Sequence, residues 1–148
     1  VCSSDLVGVA TALGLAVATD AVVVPLSSLM LRATRCPGAP RVLALLDARK
    51  GRLYAGWYDT TGELPQPLAP EVDAVPERAV AGEAGLAVGE GVLVAGDALR
   101  AAGHVAVADP ARSPVATAAR LVSGMPACAA EQVGLRYLRE PDARPLAR

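Results

Sequence analysis

The chain has 148 residues, of which 53% are hydrophobic and 20% are charged, and its formal net charge is −1. This composition is that of a folded globular protein and excludes an intrinsically disordered one. The near-zero net charge and the scattered arginines give no basic footprint for nucleic acid, so any contact with RNA is expected to go through a partner.

Cysteine and histidine are too sparse to predict a metal centre. Cys2, Cys36 and Cys128 are odd in number and lie far apart without a C-x-x-C pair, which indicates reduced thiols in a cytoplasmic protein. His104 is the only histidine, so a site with several histidine ligands is excluded within this sequence. We expect neither a metal nor a cofactor.

The first six residues do not fit the sequence that follows them. Val-Cys-Ser-Ser-Asp-Leu matches one reading frame of a common sequencing-adapter end. We therefore expect residues 1–6 to be a sequencing artefact and the natural chain to begin further upstream.

Val7–Ala18 is small, apolar and long enough for three helical turns, and it predicts a buried helix. Asp20 and Pro25 interrupt the apolar stretch, and no basic flank precedes it, so a membrane span is not expected. Gly8 and Ala16 lie four residues to either side of Ala12. This ridge of small residues would let another helix approach closely, which fits a core helix as well as a partner interface.

A turn at Thr19-Asp20 and a short strand at Ala21–Val24 are predicted next. Ser27 or Ser28 can then cap a short helix over Leu29–Ala33. The breaker cluster Arg-Cys-Pro-Gly-Ala-Pro at 35–40 places a boundary before the clearest element of the chain.

That element is a predicted β-hairpin over Val42–Asp59. Two apolar, strand-like runs flank Ala-Arg-Lys-Gly, with Gly51 where the turn needs a positive φ. We assign Asp47 and Arg49 to fixing this turn, since an aspartate can accept hydrogen bonds from turn amides. Both faces of the second strand are largely apolar, so the hairpin is expected to be central and covered on both sides.

The remaining sequence predicts an α/β domain with a mixed sheet. In chain order we expect an irregular strand at Leu64–Val72, a helix at Pro76–Leu86, a buried strand at Gly91–Asp97, a helix at Ala98–Ala102, a short strand at His104–Ala108 and a helix at Val115–Val122 opened by Asp109 or Ser113.

No motif in the sequence predicts catalysis. Gly89-Glu90-Gly91 resembles a glycine loop, but it precedes the predicted strand and is not assigned as a phosphate cradle. The segment 94–98 could follow a strand as a nucleotide turn, although a structural turn is favoured. Ser27-Ser28 has no base nearby in sequence, so a catalytic triad is not expected.

Four segments in register resemble the TsaB (YeaZ) family, the dimerisation subunit of the bacterial complex that forms threonylcarbamoyl-adenosine on tRNA. Gly8–Ala16 resembles its glycine- and alanine-rich helix, with Leu13 where many members carry lysine. Val24–Leu29 resembles the strand and Ser-Leu turn that follow, and Leu45–Tyr54 resembles its hairpin. Tyr137-Leu138-Arg139 resembles its terminal P-x-Y-L-R segment, with Leu135 in place of the proline.

The resemblance implies an RNase H-like fold of the actin/Hsp70/sugar-kinase superfamily, built from two lobes. Residues 7–36 would be the end of a first lobe that is otherwise missing. Residues 39–140 would be the second RNase H-like lobe, and residues 141–148 a flexible tail.

The resemblance also implies a non-catalytic scaffold in the cytoplasm, with no catalytic, cofactor-binding or metal-binding residues. Its partners would be a TsaD-type transferase subunit, a TsaE-type ATPase and a second copy of itself, with tRNA contacted only indirectly. Because dimer contacts in the family are attributed to first-lobe helices, the expected interface residues are Val9, Ala12, Leu13 and Ala16. The alternative is a fragment of an ATP-dependent sugar-kinase-like or M22-type enzyme of the same superfamily.

Overall fold

A mixed sheet of six strands forms the centre of the structure, a computed structural model that describes residues 3–107, 114–134 and 138. In chain order the elements are α1 (Ser3–Thr19), α2 (Ser28–Ala33), β1 (Val42–Asp47), β2 (Leu53–Asp59), β3 (Gln66–Pro67), β4 (Val72–Ala74), α3 (Pro76–Ala79), β5 (Leu86–Val88), α4 (Val92–Ala101), β6 (Val105–Ala106) and α5 (Pro114–Leu121), with 3₁₀ turns at Val122–Gly124 and Ala130–Gln132. The strand order is β3-β2-β1-β5-β6, with β4 also paired to β2.

The predicted hairpin is confirmed as the centre of the sheet. Strands β1 and β2 pair antiparallel from Val42 opposite Tyr58 to Asp47 opposite Leu53. On its other side, β1 pairs parallel with β5, which pairs parallel with β6. The first four residues of β1 are fully buried because helices cover both faces of the sheet.

The two covering layers follow from the alternation of side chains along the strands. Leu43, Leu45, Leu53 and Ala55 point to one face and form a core with α3, α4 and Trp57. Side chains of the opposite parity, including Val42, Ala44 and Tyr58, form a second core with α2 and α5. The predicted α/β class with a mixed sheet is therefore confirmed.

The predicted strand at Gly91–Asp97 is wrong, because these residues form the start of α4. The adjacent β5, Leu86–Val88, takes the place beside β1. Ala95 and Leu99 are buried, and Val92 and Ala102 pack against the same core. This spacing of three and four residues is helical, and burial of that stripe outweighs the strand preference of a run rich in valine.

Helix α1 is confirmed as a helix, but the prediction that it is buried is wrong for the described chain. Only Ala16 is buried, whereas Val7, Leu15 and Val17 are 64%, 62% and 60% exposed. After the turn at Asp20, the predicted strand at Ala21–Val24 is reduced to one antiparallel bridge between Val23 and Cys128. No helix in the described ranges is long and apolar enough to cross a membrane.

Three other helices were predicted with different bounds. Ser27 is the N-cap of α2 and accepts hydrogen bonds from the amides of Leu29 and Met30. Helix α3 ends at Ala79, well before the predicted Leu86, and α5 begins at Pro114. The two alternative caps of α5, the Tyr137-Leu138-Arg139 motif apart from Leu138, and the predicted tail at 141–148 lie outside the described residues.

Candidate functional site

The hairpin tip is a tight turn with three successive positive φ angles. They are +64° at Arg49, +53° at Lys50 and +70° at Gly51. Asp47 Oδ1 accepts a hydrogen bond of 2.7 Å from the Arg49 amide, and its other oxygen lies 3.6 Å from the exposed Arg49 guanidinium. Both oxygens of the carboxylate therefore contact residues of the turn.

The glycine loop at Gly89-Glu90-Gly91 joins strand to helix, which corrects the sequence interpretation. It lies between β5 and α4 and packs directly on β1, where the Gly91 amide donates to the Leu45 carbonyl at 3.1 Å. A Cβ at Gly89 would lie 2.2 Å from that carbonyl oxygen, and one at Gly91 would lie 2.8 Å from Leu45 Cβ. Both glycines are therefore required for close backbone packing.

The other turn weighed as a nucleotide contact is absent, because the segment 94–98 lies inside α4. Gly96 lies in that helix, and a Cβ there would meet nothing within 4 Å. Glu90, in the glycine loop, forms an ion pair with Arg32 of α2 at 3.3 Å. This acidic side chain and the packed glycines give the loop a structural role.

The structure separates the four expected interface residues of α1. Ala16 is 8% exposed, Val9 and Leu13 are half-buried, and Ala12 is exposed. The first three therefore face the rest of the chain, where α1 contacts the 3₁₀ turn at Ala130–Gln132. Ala12 instead belongs to the solvent-facing surface.

We call the exposed line of Gly8, Ala12 and Leu15 the α1 face; its members are spaced at i, i+4 and i+7 on one side of the helix. Thr11 beside it donates its hydroxyl to the Val7 carbonyl at 2.8 Å, so that this polar group is satisfied within the helix. A Cβ at Gly8 or at Gly14 would meet nothing within 4 Å. A glycine in a helix costs about 1 kcal/mol relative to alanine, and no packing in the described chain requires either one.

A second candidate surface is a groove of about 510 Å³, here called the Glu71 groove. Its lining includes Ser27, Met30, Tyr58, Leu68, Pro70 and Glu71. The hydroxyls of Ser27 and Tyr58 both donate to Oε1 of Glu71. The groove is thus mostly apolar, with one oriented carboxylate.

Sequence reasoning found Ser27 but not its carboxylate partner. Ser27 and Glu71 are 44 residues apart, and Glu71 follows a proline-rich run without a local signal. The Ser27 oxygen also accepts from two amides at the start of α2. We therefore assign Ser27 to capping α2 and to orienting Glu71.

Several titratable groups are tied into the scaffold. Asp73 is 5% exposed in its side chain and pairs with Arg52 at 2.7 Å, which ties β4 to β2. The Thr61 hydroxyl, and then its amide, lower the pKa of the Asp59 carboxyl. Burial raises the pKa of the Cys36 thiol, which disfavours its reactive thiolate.

Metal ligands are not clustered in the described part of the chain. Across residues 3–107, 114–134 and 138, no group of three or more His, Cys, Asp or Glu side chains is placed to hold a metal ion. His104 is instead buried in the scaffold, where Nδ1 accepts from the Gly85 amide at 3.1 Å and Nε2 lies 2.7 Å from the Val80 carbonyl.

The solved structures that are similar to this chain include two proteins from Pseudomonas aeruginosa. An uncharacterized protein with similarity to peptidase YeaZ is 25% identical, with a TM-score of 0.67 over 89% of this chain and 66% of that one. YeaZ itself is 25% identical, with a TM-score of 0.62 over 86% of this chain and 65% of that one. The chain therefore spans just under two thirds of the length of each.

Comparison with protein families gives one match over most of the chain. No curated protein sequence matches. The model of a family described as TsaD, tRNA N6-adenosine threonylcarbamoyltransferase, matches residues 6–132. The chain belongs to the TsaD family and is a TsaB-like (YeaZ-like) protein within it.

Proposed function

We propose that this protein is a non-catalytic scaffold subunit of a cytoplasmic complex that forms N6-threonylcarbamoyladenosine in tRNA. Its direct partner would be a TsaD-type transferase subunit, which it binds and activates. A TsaE-type ATPase would join the assembly, and tRNA would be held by the partner. Membership of the TsaD family and the similarity to YeaZ support the pathway.

The observation that carries the scaffold role is the exposed α1 face. Leu15 is 62% exposed on it, next to Ala12 and Gly8. Large apolar side chains gathered on one helix are typical of an interaction surface, and small residues beside them let a partner helix approach closely. The two helical glycines, which cost helix stability without serving internal packing, support the same role.

The contact proposed here lies on a different side of α1 from most of the interface residues expected from the sequence. Val9, Leu13 and Ala16 face the chain itself, so their contribution would be to hold α1 in place. Ala12 stays in the proposed contact, and Gly8 and Leu15 join it. The same face would serve a transferase subunit or a second copy of the chain, and we propose the transferase subunit as its main occupant because of the family match.

We predict that Gly8→Leu and Leu15→Glu each weaken binding to the TsaD-type subunit of the same organism by about tenfold or more, a loss of about 1.4 kcal/mol. A leucine at residue 8 would block the close approach of the partner, and a glutamate at residue 15 would place a charge in an apolar contact. Gly8→Leu also raises helix propensity, so unfolding of α1 cannot explain its effect. Isothermal titration calorimetry measures the affinity.

The matched control is Leu93→Glu, which makes the same change on α4 at a side chain that is 90% exposed. It is expected to leave the affinity unchanged. Equal affinity for Leu93→Glu and both α1 variants, or no binding of the unchanged chain, would contradict the proposal.

The alternative is that the chain is part of an enzyme of the same superfamily, either M22-type or sugar-kinase-like. The observation that supports this alternative is the description of the matched family, which names a transferase. ATP hydrolysis or threonylcarbamoyl transfer by the purified chain alone distinguishes the two proposals, since a scaffold is expected to show neither.

A further inference from the structure

Asp20 is the one charged residue in the long uncharged stretch that includes most of α1. Residues 6–31 contain no other aspartate, glutamate, lysine, arginine or histidine. Its apolar neighbours in the sequence are exposed, Val17 to 60% and Val22 to 72%. Asp20 is itself exposed, and within residues 3–107, 114–134 and 138 its carboxylate has no hydrogen bond or ion pair. The chain therefore places a single negative charge on an exposed apolar surface.

The position of Asp20 is unfavourable for the chain by itself in two ways. It directly follows α1 with a φ of +52°, in the left-handed region that glycine usually occupies at a helix end. The Ala21 amide donates to the Ala16 carbonyl at 2.9 Å, and the Asp20 amide donates to the Val17 carbonyl at 3.4 Å, which is the pattern of a Schellman motif. The carboxylate also lies at the negative end of the helix dipole, and the last turn of α1 has no basic side chain to offset it. A glycine would serve the helix end better, so the internal structure does not explain the aspartate.

We propose, building on the function proposed above, that the Asp20 carboxylate pairs with an arginine of the TsaD-type subunit when that subunit binds the α1 face. Thr19 continues the spacing of this face four residues after Leu15, so Asp20 lies at its end. An apolar partner surface alone would bury the carboxylate unpaired, which is unfavourable. Arginine fits because its apolar stem can pack on the exposed valines while its guanidinium forms two hydrogen bonds with the carboxylate. The ion pair would fix the position of the partner along α1.

The test is isothermal titration calorimetry of the Asp20→Asn variant with the TsaD-type subunit of the same organism, at low and at high salt. Asparagine keeps the size of the side chain and tolerates the left-handed region, but it removes the charge. We expect the affinity to fall about tenfold at low salt, because a charge-assisted hydrogen bond is lost. The loss is expected to shrink at high salt, which screens the ion pair of the unchanged chain. The control is Asp97→Asn on α4, where the side chain is 96% exposed and the affinity is expected to stay unchanged.

A second variant, Asp20→Gly, separates binding from the structure of the helix end. Glycine is favoured at this position, so the free energy of unfolding in urea should rise or stay the same, while the affinity falls as it does for Asp20→Asn. Equal affinity of Asp20→Asn and the unchanged chain, or an equal loss at low and high salt, would overturn the ion pair. If Leu15→Glu abolishes binding and Asp20→Asn does not, the ion pair alone is wrong. If the unchanged chain does not bind the subunit at all, the proposed function is wrong as well.

Discussion

Gly89→Ala is expected to destabilise the protein by about 3 kcal/mol or more, which is a large share of the roughly 5–15 kcal/mol that stabilises an ordinary domain. The backbone at Gly89 has a φ of +106°, which an alanine rarely adopts, and the new Cβ would lie 2.2 Å from the Leu45 carbonyl oxygen. To relieve that contact, the loop would have to move away from β1, the central strand. This movement would break the hydrogen bond that the Gly91 amide donates to the Leu45 carbonyl. Urea unfolding followed by fluorescence of Trp57, the only tryptophan, measures the loss.

Gly96→Ala in the following helix is the matched control. A Cβ there meets nothing within 4 Å, so the substitution should stabilise the protein by up to about 1 kcal/mol through helix propensity. If the free energy of unfolding falls for Gly89→Ala and rises for Gly96→Ala, the effect of close packing is distinguished from the general effect of replacing glycine. A Gly89→Ala protein as stable as the unchanged chain would contradict the packing of the loop on β1.

His104→Ala is expected to cost about 2–4 kcal/mol, because it opens a cavity and leaves one buried and one partly buried backbone group without their partner. The Gly85 amide donates to Nδ1, which places the ring hydrogen on Nε2, where it donates to the Val80 carbonyl. The imidazole thus joins the chain after α4 to the end of α3 and the start of β5. The same urea titration measures the loss, and Trp57 reports it directly because the two ring centroids are 5.4 Å apart.

Arg41→Ala controls for the change near the reporter. The Arg41 guanidinium lies 5.5 Å from the centroid of the Trp57 ring, and in its ion pair with Glu83 the arginine side chain is 37% exposed and the glutamate side chain 82%. We expect this variant to alter the fluorescence but to cost less than about 1 kcal/mol. If the free energy of unfolding falls by a similar amount in both variants, or does not fall in His104→Ala, the imidazole does not bridge the two backbone groups.

The hairpin could be predicted from sequence because its signals are local and agree with one another. The two apolar, strand-like runs and the Ala-Arg-Lys-Gly turn, which ends at Gly51, all occur within 18 residues. The start of α4 was missed because Val92-Leu93-Val94 has the composition of a buried strand, while the helical spacing of Ala95 and Leu99 extends beyond that run. Strands of two or three residues, such as β5 and β6, are too short to carry a periodic pattern.

Some features of the candidate surfaces could likewise be predicted from the sequence, and others depend on the tertiary structure. The small residues of α1 are visible in the sequence. Which side of the helix faces the chain depends on how α1 packs, and in the structure Ala16 is buried while Leu15 is exposed. The contact of Ser27 with Glu71 joins residues 44 apart and leaves no local pattern. Similarly, the glycine loop could be interpreted only once the helix after it was known.

The most direct measurement of the proposed function is threonylcarbamoyl transfer to tRNA by the TsaD-type subunit of the same organism, with and without this chain. A scaffold should produce no modified tRNA and hydrolyse no ATP alone, and should raise the rate when the transferase subunit is present. The Leu15→Glu variant should lose that stimulation, and Leu93→Glu should retain it. Modified tRNA made by this chain alone, or a transferase rate that does not change when it is added, would contradict the account.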